Sequence, residues 1–285
     1  MKSMKFVFFL MFIFTLVQNM YAQDPNFHIY IAFGQSNMEG TGTIESMDLT
    51  VNDRFQVYQA LDCPDVQKKK GNWYPAVPPL VQCHSGLSPA DYFGRTMVEE
   101  LPDSIRVGIV VVAIGGCDIR IFDKQIYQDY DSTYTESWFA DKVKAYEGNP
   151  YRYLMNMAKE AQKEGVIKGV LLHQGETNTG DEGWPGYVKK IYRDMLSELS
   201  LNAGEVPLLA GEVVSAEGNC CASMNAIINR LPSVIPTAHI ISSEGLTAQD
   251  QAHFDSEGYR LLGKRYAEKM LTLLKNGKKE GENHD

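Results

Sequence analysis

Four polar clusters in this chain combine residue types and spacings that can do chemistry. The first is Gly34-Gln35-Ser36-Asn37-Met38, which follows the apolar run Ile29-Tyr30-Ile31-Ala32-Phe33. The run reads as a buried strand and the glycine as its break. Ser36 then stands at the strand's C-terminal end, the edge where open α/β sheets bind ligands. A serine hydroxyl is a weak nucleophile near neutral pH until a base takes its proton. Far along the chain, Asp250-Gln251-Ala252-His253 supplies a carboxylate and an imidazole three residues apart. In a turn or a helix start that spacing points both side chains the same way. Ser36 as nucleophile, His253 as base and Asp250 as orienter of the imidazole make a set for acyl transfer. Each also has a plainer reading. Ser36 can cap the turn after its strand, and Asp255 can cap a last helix that His253 merely precedes.

The third cluster is His173-Gln174-Gly175-Glu176, at the end of Val170-Leu171-Leu172. An amide N–H from Gln174 at that edge could meet a developing oxyanion. Glu176 reads better as a carboxylate that organises its loop than as a proton carrier, and His173 better as a packed residue than as a rival base. The fourth is Gly115-Gly116-Cys117-Asp118, after Val110-Val111-Val112-Ala113. Paired glycines let backbone N–H groups turn toward an anion. Cys117 is a candidate thiol nucleophile, but no histidine follows it at an informative spacing. The Ser36 segment lacks the second glycine of G-x-S-x-G, so it is not the α/β-hydrolase elbow.

Placing these clusters requires a scaffold. Apolar runs over 27–33, 105–113, 168–173, 207–213 and 237–242 alternate with helix-like segments over 91–101, 151–164, 184–200, 222–230 and 256–274. Strand–helix alternation with runs apolar on both faces predicts a doubly wound parallel α/β sheet of five strands. Two connections, 40–88 and 117–149, are too long for turns and are rich in aromatic residues: Trp73 and Tyr74 in the first, Tyr127, Tyr130, Tyr134, Trp138 and Phe139 in the second. Both leave C-terminal strand ends. Their rings suit a sugar face or a cap on the sheet edge equally well.

Residues 1–22 read as a secretory signal peptide: Lys2 and Lys5, an almost wholly apolar stretch from Phe6 to Val17, then Tyr21-Ala22. That stretch makes a helix of roughly 18 Å, against a hydrocarbon core of about 30 Å. Residues 23–275 then form one domain, and 276–285 a polar tail. The protein is expected to be secreted or periplasmic, with no membrane association once the leader is removed. Without the two leader lysines, 25 basic residues face 36 acidic ones, a net charge of −11 that disfavours nucleic acid. Of the five cysteines, Cys63 and Cys83 are the first choice for a bridge, while a bond between the adjacent Cys220 and Cys221 is disfavoured. Free or partly paired thiols are the plainer expectation. The cysteine spacings do not fit a zinc site.

Taken together and in order, Gly34-Gln35-Ser36-Asn37-Met38, Gly115-Gly116, Gln174-Gly175-Glu176 and Asp250-x-x-His253-Phe254 resemble the SGNH hydrolase superfamily. More narrowly they resemble its group of sialic acid-specific acetylesterases and acetylxylan esterases, carbohydrate esterase family six. The resemblance implies a three-layer α/β/α, flavodoxin-like fold and a Ser36–His253–Asp250 triad. It implies an oxyanion hole from the N–H groups of Ser36 and Gly116 and the Gln174 side chain, with Gln35, Asn37, Gly115 and Glu176 in support. The implied reaction is hydrolysis of acetyl esters on an acetylated carbohydrate, without a cofactor. Acetylated xylan is slightly preferred over acetylated sialic acid, and a lipase or thioesterase of the same superfamily is the other enzyme reading. Cys117-Asp118 departs from the Thr-Ser that often follows the glycine pair, which bears on the local loop and its substrate contacts.

Overall fold

In the computed structural model, which describes residues 23–131, 137–215 and 218–282, the first strand, β1 (Asp24–Gly34), divides its wholly buried side chains between two cores. Phe27, Ile29, Ile31 and Phe33 face one core, and Tyr30 and Ala32 face the other. Successive side chains of a strand point to opposite faces, so a strand apolar at every position must be covered on both. Burying each large side chain stabilises the fold by roughly 1.5–3 kcal/mol.

β1 is central in a sheet completed by β2 (Phe55–Tyr58), β3 (Trp73–Pro75), β4 (Arg106–Ala113), β5 (Gly165–His173), β6 (Leu208–Gly211) and β7 (Ala238–Ile241). The order is β3-β2-β4-β1-β5-β6-β7, and every pairing is parallel except that of β2 with β3. The helices are α1 (Ser36–Glu39), α2 (Pro89–Glu100), α3 (Tyr127–Asp131), α4 (Ser137–Ala145), α5 (Pro150–Gln162), α6 (Trp184–Glu198), α7 (Asn225–Ile228), α8 (Leu231–Val234) and α9 (Ser256–Glu282). α5 and α6 cover the face with Ile29 and Phe33, while α2 and α9 cover the face with Tyr30 and Ala32. The result is three layers. The five expected strands, taken in chain order, lie 2-1-3-4-5, the flavodoxin-like arrangement, whose ligand crevice opens where the order reverses. Here that is the end of β1 beside β5.

Two strands were not expected. β2 and β3, four and three residues long, come from the 40–88 connection and extend the sheet to seven strands, with β3 antiparallel at the edge. They are too short for a periodic signal, and tertiary contacts stabilise them. Trp73 meets the Phe27 ring edge-on at 4.7 Å and packs on Tyr58, so this loop's tryptophan lies partly buried against the core. The 222–230 helix is a 3₁₀ turn (Ala222–Met224) followed by the single turn of α7. α9 continues to Glu282, into the segment read as a tail, where Lys and Glu are good helix formers. Both Cys63–Cys83 and the disfavoured Cys220–Cys221 are disulfides, and Cys117 is free and buried. The proposed leader and Tyr134 lie outside the described residues. Among the described residues no helix is long and apolar enough to cross a membrane.

Asp91, in the first turn of α2, accepts the N–H and hydroxyl of Ser88 with Oδ2 at 2.9 and 3.2 Å, while its Oδ1 is buried without a partner. Burial pushes this carboxyl from 3.8 up to about 7. Between those values the folded protein holds a proton that the unfolded chain releases, so this group makes stability fall as pH rises from about 4 to about 7. Asp91→Asn keeps an acceptor for Ser88 N–H and removes the titration. Thermal melts are expected to show Tm raised by about 2–6 °C at pH 8 with little change at pH 4, corresponding to roughly 1–2 kcal/mol. Equal shifts at both pH values would refute the assignment.

Candidate active site

β1, β4 and β5 finish in line: Gly34 pairs with Ala113 on one side and with His173 on the other. All three following segments therefore emerge at one edge. At Gly34, φ is +153° and a Cβ would fall 2.0 Å from the His173 carbonyl oxygen, so only glycine lets the chain turn there. The turn makes Ser36 the first residue of α1, half-buried and at the crevice.

The loop after β7 brings in the opposite end of the chain. His253 Nε2 lies 2.9 Å from Ser36 Oγ, and His253 Nδ1 lies 2.9 and 3.0 Å from the two Asp250 carboxylate oxygens. Asp250 Oδ1 also accepts the N–H groups of Ala252 and His253, each at 2.8 Å. Partial burial raises the Asp250 carboxyl, but these N–H groups and the imidazole outweigh it, and its pKa lies below the ordinary value. The acid is thus ionised at neutral pH and faces the ring nitrogen away from the serine. The plainer reading of the neighbouring residue also holds, since Asp255 caps α9 by accepting Gly258 N–H at 2.8 Å.

Asn37 joins the two ends. Its amide nitrogen donates to Glu176 Oε1 and, at 2.9 Å, to the Ala252 carbonyl. Its oxygen accepts Phe254 N–H at 3.3 Å and the Tyr259 hydroxyl at 2.7 Å. The residue beside Ser36 therefore grips the backbone on both sides of His253. Phe254 anchors the same loop, fully buried with its ring edge-on to His173 and Tyr259. Asn37→Ala is expected to lower kcat about 100-fold with the fold retained by circular dichroism, because a displacement of about 1 Å in a reacting group has that effect. A kcat within twofold of wild type would show that the clamp is dispensable.

The Glu176 side chain is only 6% exposed beneath this clamp, with His173 Nε2 at 3.7 Å, beyond hydrogen-bond length. Burial raises its carboxyl, but the facing His173 ring and the Asn37 amide hold its pKa below the ordinary value. His173 is wholly buried and packed, and neither of its ring nitrogens has a hydrogen-bond partner among the described residues. Cys117 is wholly buried as well. Desolvation, reinforced by Asp118, Glu39 and Glu176, pushes its thiol well up and removes it as a rival nucleophile.

The expected oxyanion donors divide. Among the described residues no acceptor takes the backbone N–H of Ser36 or of Gly116. Gly116 has φ +78°, in the region that favours glycine, and a Cβ on Gly115 would lie 3.6 Å from Ser36 Cβ. Gly115 itself donates to Glu39 Oε2. Gln174 departs from the expectation. Its Nε2 faces Gln35 Oε1 at 3.0 Å, the Cys117 carbonyl at 3.1 Å and Asn178 Oδ1 at 2.6 Å, while its oxygen accepts the Trp184 indole N–H. An amide has two hydrogens, so this one has none to spare for a substrate. Gln35 is oriented by the N–H groups of Gly175 and Thr177, both pointing at its oxygen. Its own amide nitrogen meets no acceptor among the described residues.

Several participants were not legible in the sequence. Glu39 reaches Lys142 across 103 positions, and Asn178 links Gln174 to Asp118. Nothing in their spacing marks these pairs, although Asn178 follows Gln174 by four residues. Arg120 is held by both oxygens of Asp118 and by Asp181 at 3.4 Å, and stacks on Tyr130 and Tyr187. Among the described residues no group of three His, Cys, Asp or Glu side chains forms a metal site.

Known proteins share this architecture. A protein of Arabidopsis thaliana superposes with TM-score 0.65 at 20% identity, covering 87% of this chain and 99% of its own. NanS superposes with TM-score 0.66 at 17% identity, covering 90% of this chain and all of its own. A carbohydrate acetylesterase from Xanthomonas citri gives TM-score 0.58 at 17% identity, over 84% of this chain and 55% of that protein. Identities this low speak for the fold alone. The family model described as carbohydrate esterase, sialic acid-specific acetylesterase, matches residues 26–272. This match spans the crevice and every residue of the Ser36–His253–Asp250 array, and the chain accordingly belongs to the sialic acid-specific acetylesterase family of carbohydrate esterases.

Proposed function

We propose that this esterase removes acetyl groups from the hydroxyls of a neutral sugar, with acetylated xylan as the model substrate, through Ser36, His253 and Asp250. The observation that carries the reading is the Ser36 Oγ to His253 Nε2 contact of 2.9 Å, beside two backbone N–H groups that have no acceptor among the described residues. Ser36 Oγ attacks the acetyl carbonyl carbon as its proton passes to His253 Nε2, and Asp250 stabilises the imidazolium. The carbonyl oxygen, now an anion, receives the N–H groups of Ser36 and Gly116. Collapse breaks the ester C–O bond, and the sugar oxygen takes the proton from His253. Water then attacks acetyl-Ser36, giving its proton to His253. Acetate leaves, and the proton returns to Ser36 Oγ. Gln174 enters as a positioning residue that braces Gln35 and the Cys117 backbone.

The charge pattern supports a neutral sugar. Arg120, the candidate partner for a sialate carboxylate, is neutralised by Asp118 and Asp181, and Lys142 by Glu39. The two disulfides support export, as the leader-like N-terminus does. The test is acetate release from acetylated xylan, acetylated mannan, acetylated pectin and O-acetylated sialic acid. Release is expected to be fastest from xylan. Faster release from sialic acid would overturn the neutral-sugar reading, and release from none would overturn the carbohydrate reading.

A further inference from the structure

We propose that the indole of Trp138 is the wall on which the sugar ring of the substrate stacks while its acetyl group lies at Ser36. This rests on the carbohydrate reading above and adds a residue that takes part in neither the triad nor the oxyanion hole. Trp138 lies in the first turn of α4 with 48% of its surface exposed, the one aromatic residue among the exposed large hydrophobics of the described residues. Its neighbours hold it in place. Phe139, Val143 and Tyr146 are buried in the core at 0%, 2% and 0% exposure, and Phe139 meets the indole edge-on at 5.8 Å. One turn along α4, Lys142 bonds to Glu39, a residue of α1, whose first residue is Ser36. That pair is only 9% exposed on the carboxylate side and ties the helix carrying Trp138 to the helix carrying the nucleophile.

The indole also stands where a substrate must pass. A Cβ on Gly116 would lie 3.1 Å from its Cη2 atom. A Cβ on Gly115 would lie 3.2 Å from Lys142 Nζ and 3.6 Å from Ser36 Cβ. Trp138 therefore flanks the glycine pair beside the reacting hydroxyl. In an O-acetyl sugar the ring carbon is bonded directly to the ester oxygen, so the ring must lie within a few ångströms of the carbonyl that Ser36 attacks. A pyranose presents flat faces of C–H groups, which bury well on an aromatic ring, and ligand sites are lined mainly by apolar and aromatic side chains. The nearby ammonium is already paired with Glu39, which leaves the wall suited to an uncharged ring.

The test uses the whole protein and compares acetylated xylo-oligosaccharide with ethyl acetate, which has no ring to stack. Trp138→Ala is expected to raise KM for the oligosaccharide at least tenfold. The ratio of kcat/KM for the oligosaccharide to that for ethyl acetate is expected to fall at least tenfold, and Trp138→Phe to recover most of it. An equal fall on both esters would mean that Trp138 only packs the glycine loop and would overturn the wall, as would no fall on either. A larger fall on octyl acetate than on the oligosaccharide would assign the surface to an aliphatic chain instead. Wild-type protein that hydrolyses ethyl acetate but releases nothing from any acetylated sugar would end the carbohydrate reading itself. An active wild type with an unchanged ratio would end only the wall.

Discussion

Ser36→Ala is expected to lower kcat on acetylated sugar by about a million-fold, the scale on which a serine hydrolase loses its nucleophile. The geometry leaves no substitute. His173 is packed away from the crevice, and Cys117 is wholly buried with its thiol held protonated by desolvation. What survives should be a residual rate of about 10³ over water, from the N–H groups of Ser36 and Gly116 and from binding. Acetate release measured over hours gives the rate, and a fluorophosphonate label should attach to wild type at Ser36 and not to the variant. A variant within tenfold of wild type would mean that another nucleophile does the chemistry.

Asp250→Asn is expected to lower kcat about 10⁴-fold with the loop in place. Asn keeps an oxygen for the N–H groups of Ala252 and His253, which Asp250 Oδ1 accepts at 2.8 Å. Its amide, however, would turn a donor toward His253 Nδ1, where the carboxylate now accepts at 2.9 Å. The ring would then carry its proton on Nε2 and could no longer take one from Ser36. Asp250 is half exposed, at 52% of its side chain, so the variant should fold normally. The discriminating measurement is kcat together with Tm. A fall below tenfold would assign the orienting role elsewhere; Glu176 bonds Asn37 rather than His253.

Legibility differed from element to element. Runs such as Val107–Ala113 declared themselves because a strand covered on both faces must be apolar throughout, a property of one short segment. β2 and β3 did not, because pairing with β4 and the fit of Trp73 on Phe27 sustain them, not their own pattern. The aromatic loops were legible as aromatic and no further: Phe139 proved to be core, Trp73 is part-buried against it, and Trp138 stands exposed at the crevice. Gln174 was correctly located at the end of β5, but the direction of its amide depends on Gln35, Cys117 and Asn178, which reach it from other segments.

By itself the sequence determined the alternation of buried strands and helices, the strand ends from which Ser36, Gly116 and Gln174 emerge, and the chemical types available there, because burial pattern and chain-breaking glycines are local properties. Tertiary structure alone decided that Ser36 meets His253 across 217 positions, that Asn37 clamps the two ends, that Gln174 spends its hydrogens on its neighbours, and that Lys142 ties α4 to the helix of Ser36. Contacts between residues so far apart arise from how packed layers fit together, and no stretch of a single chain carries a mark of its distant partner.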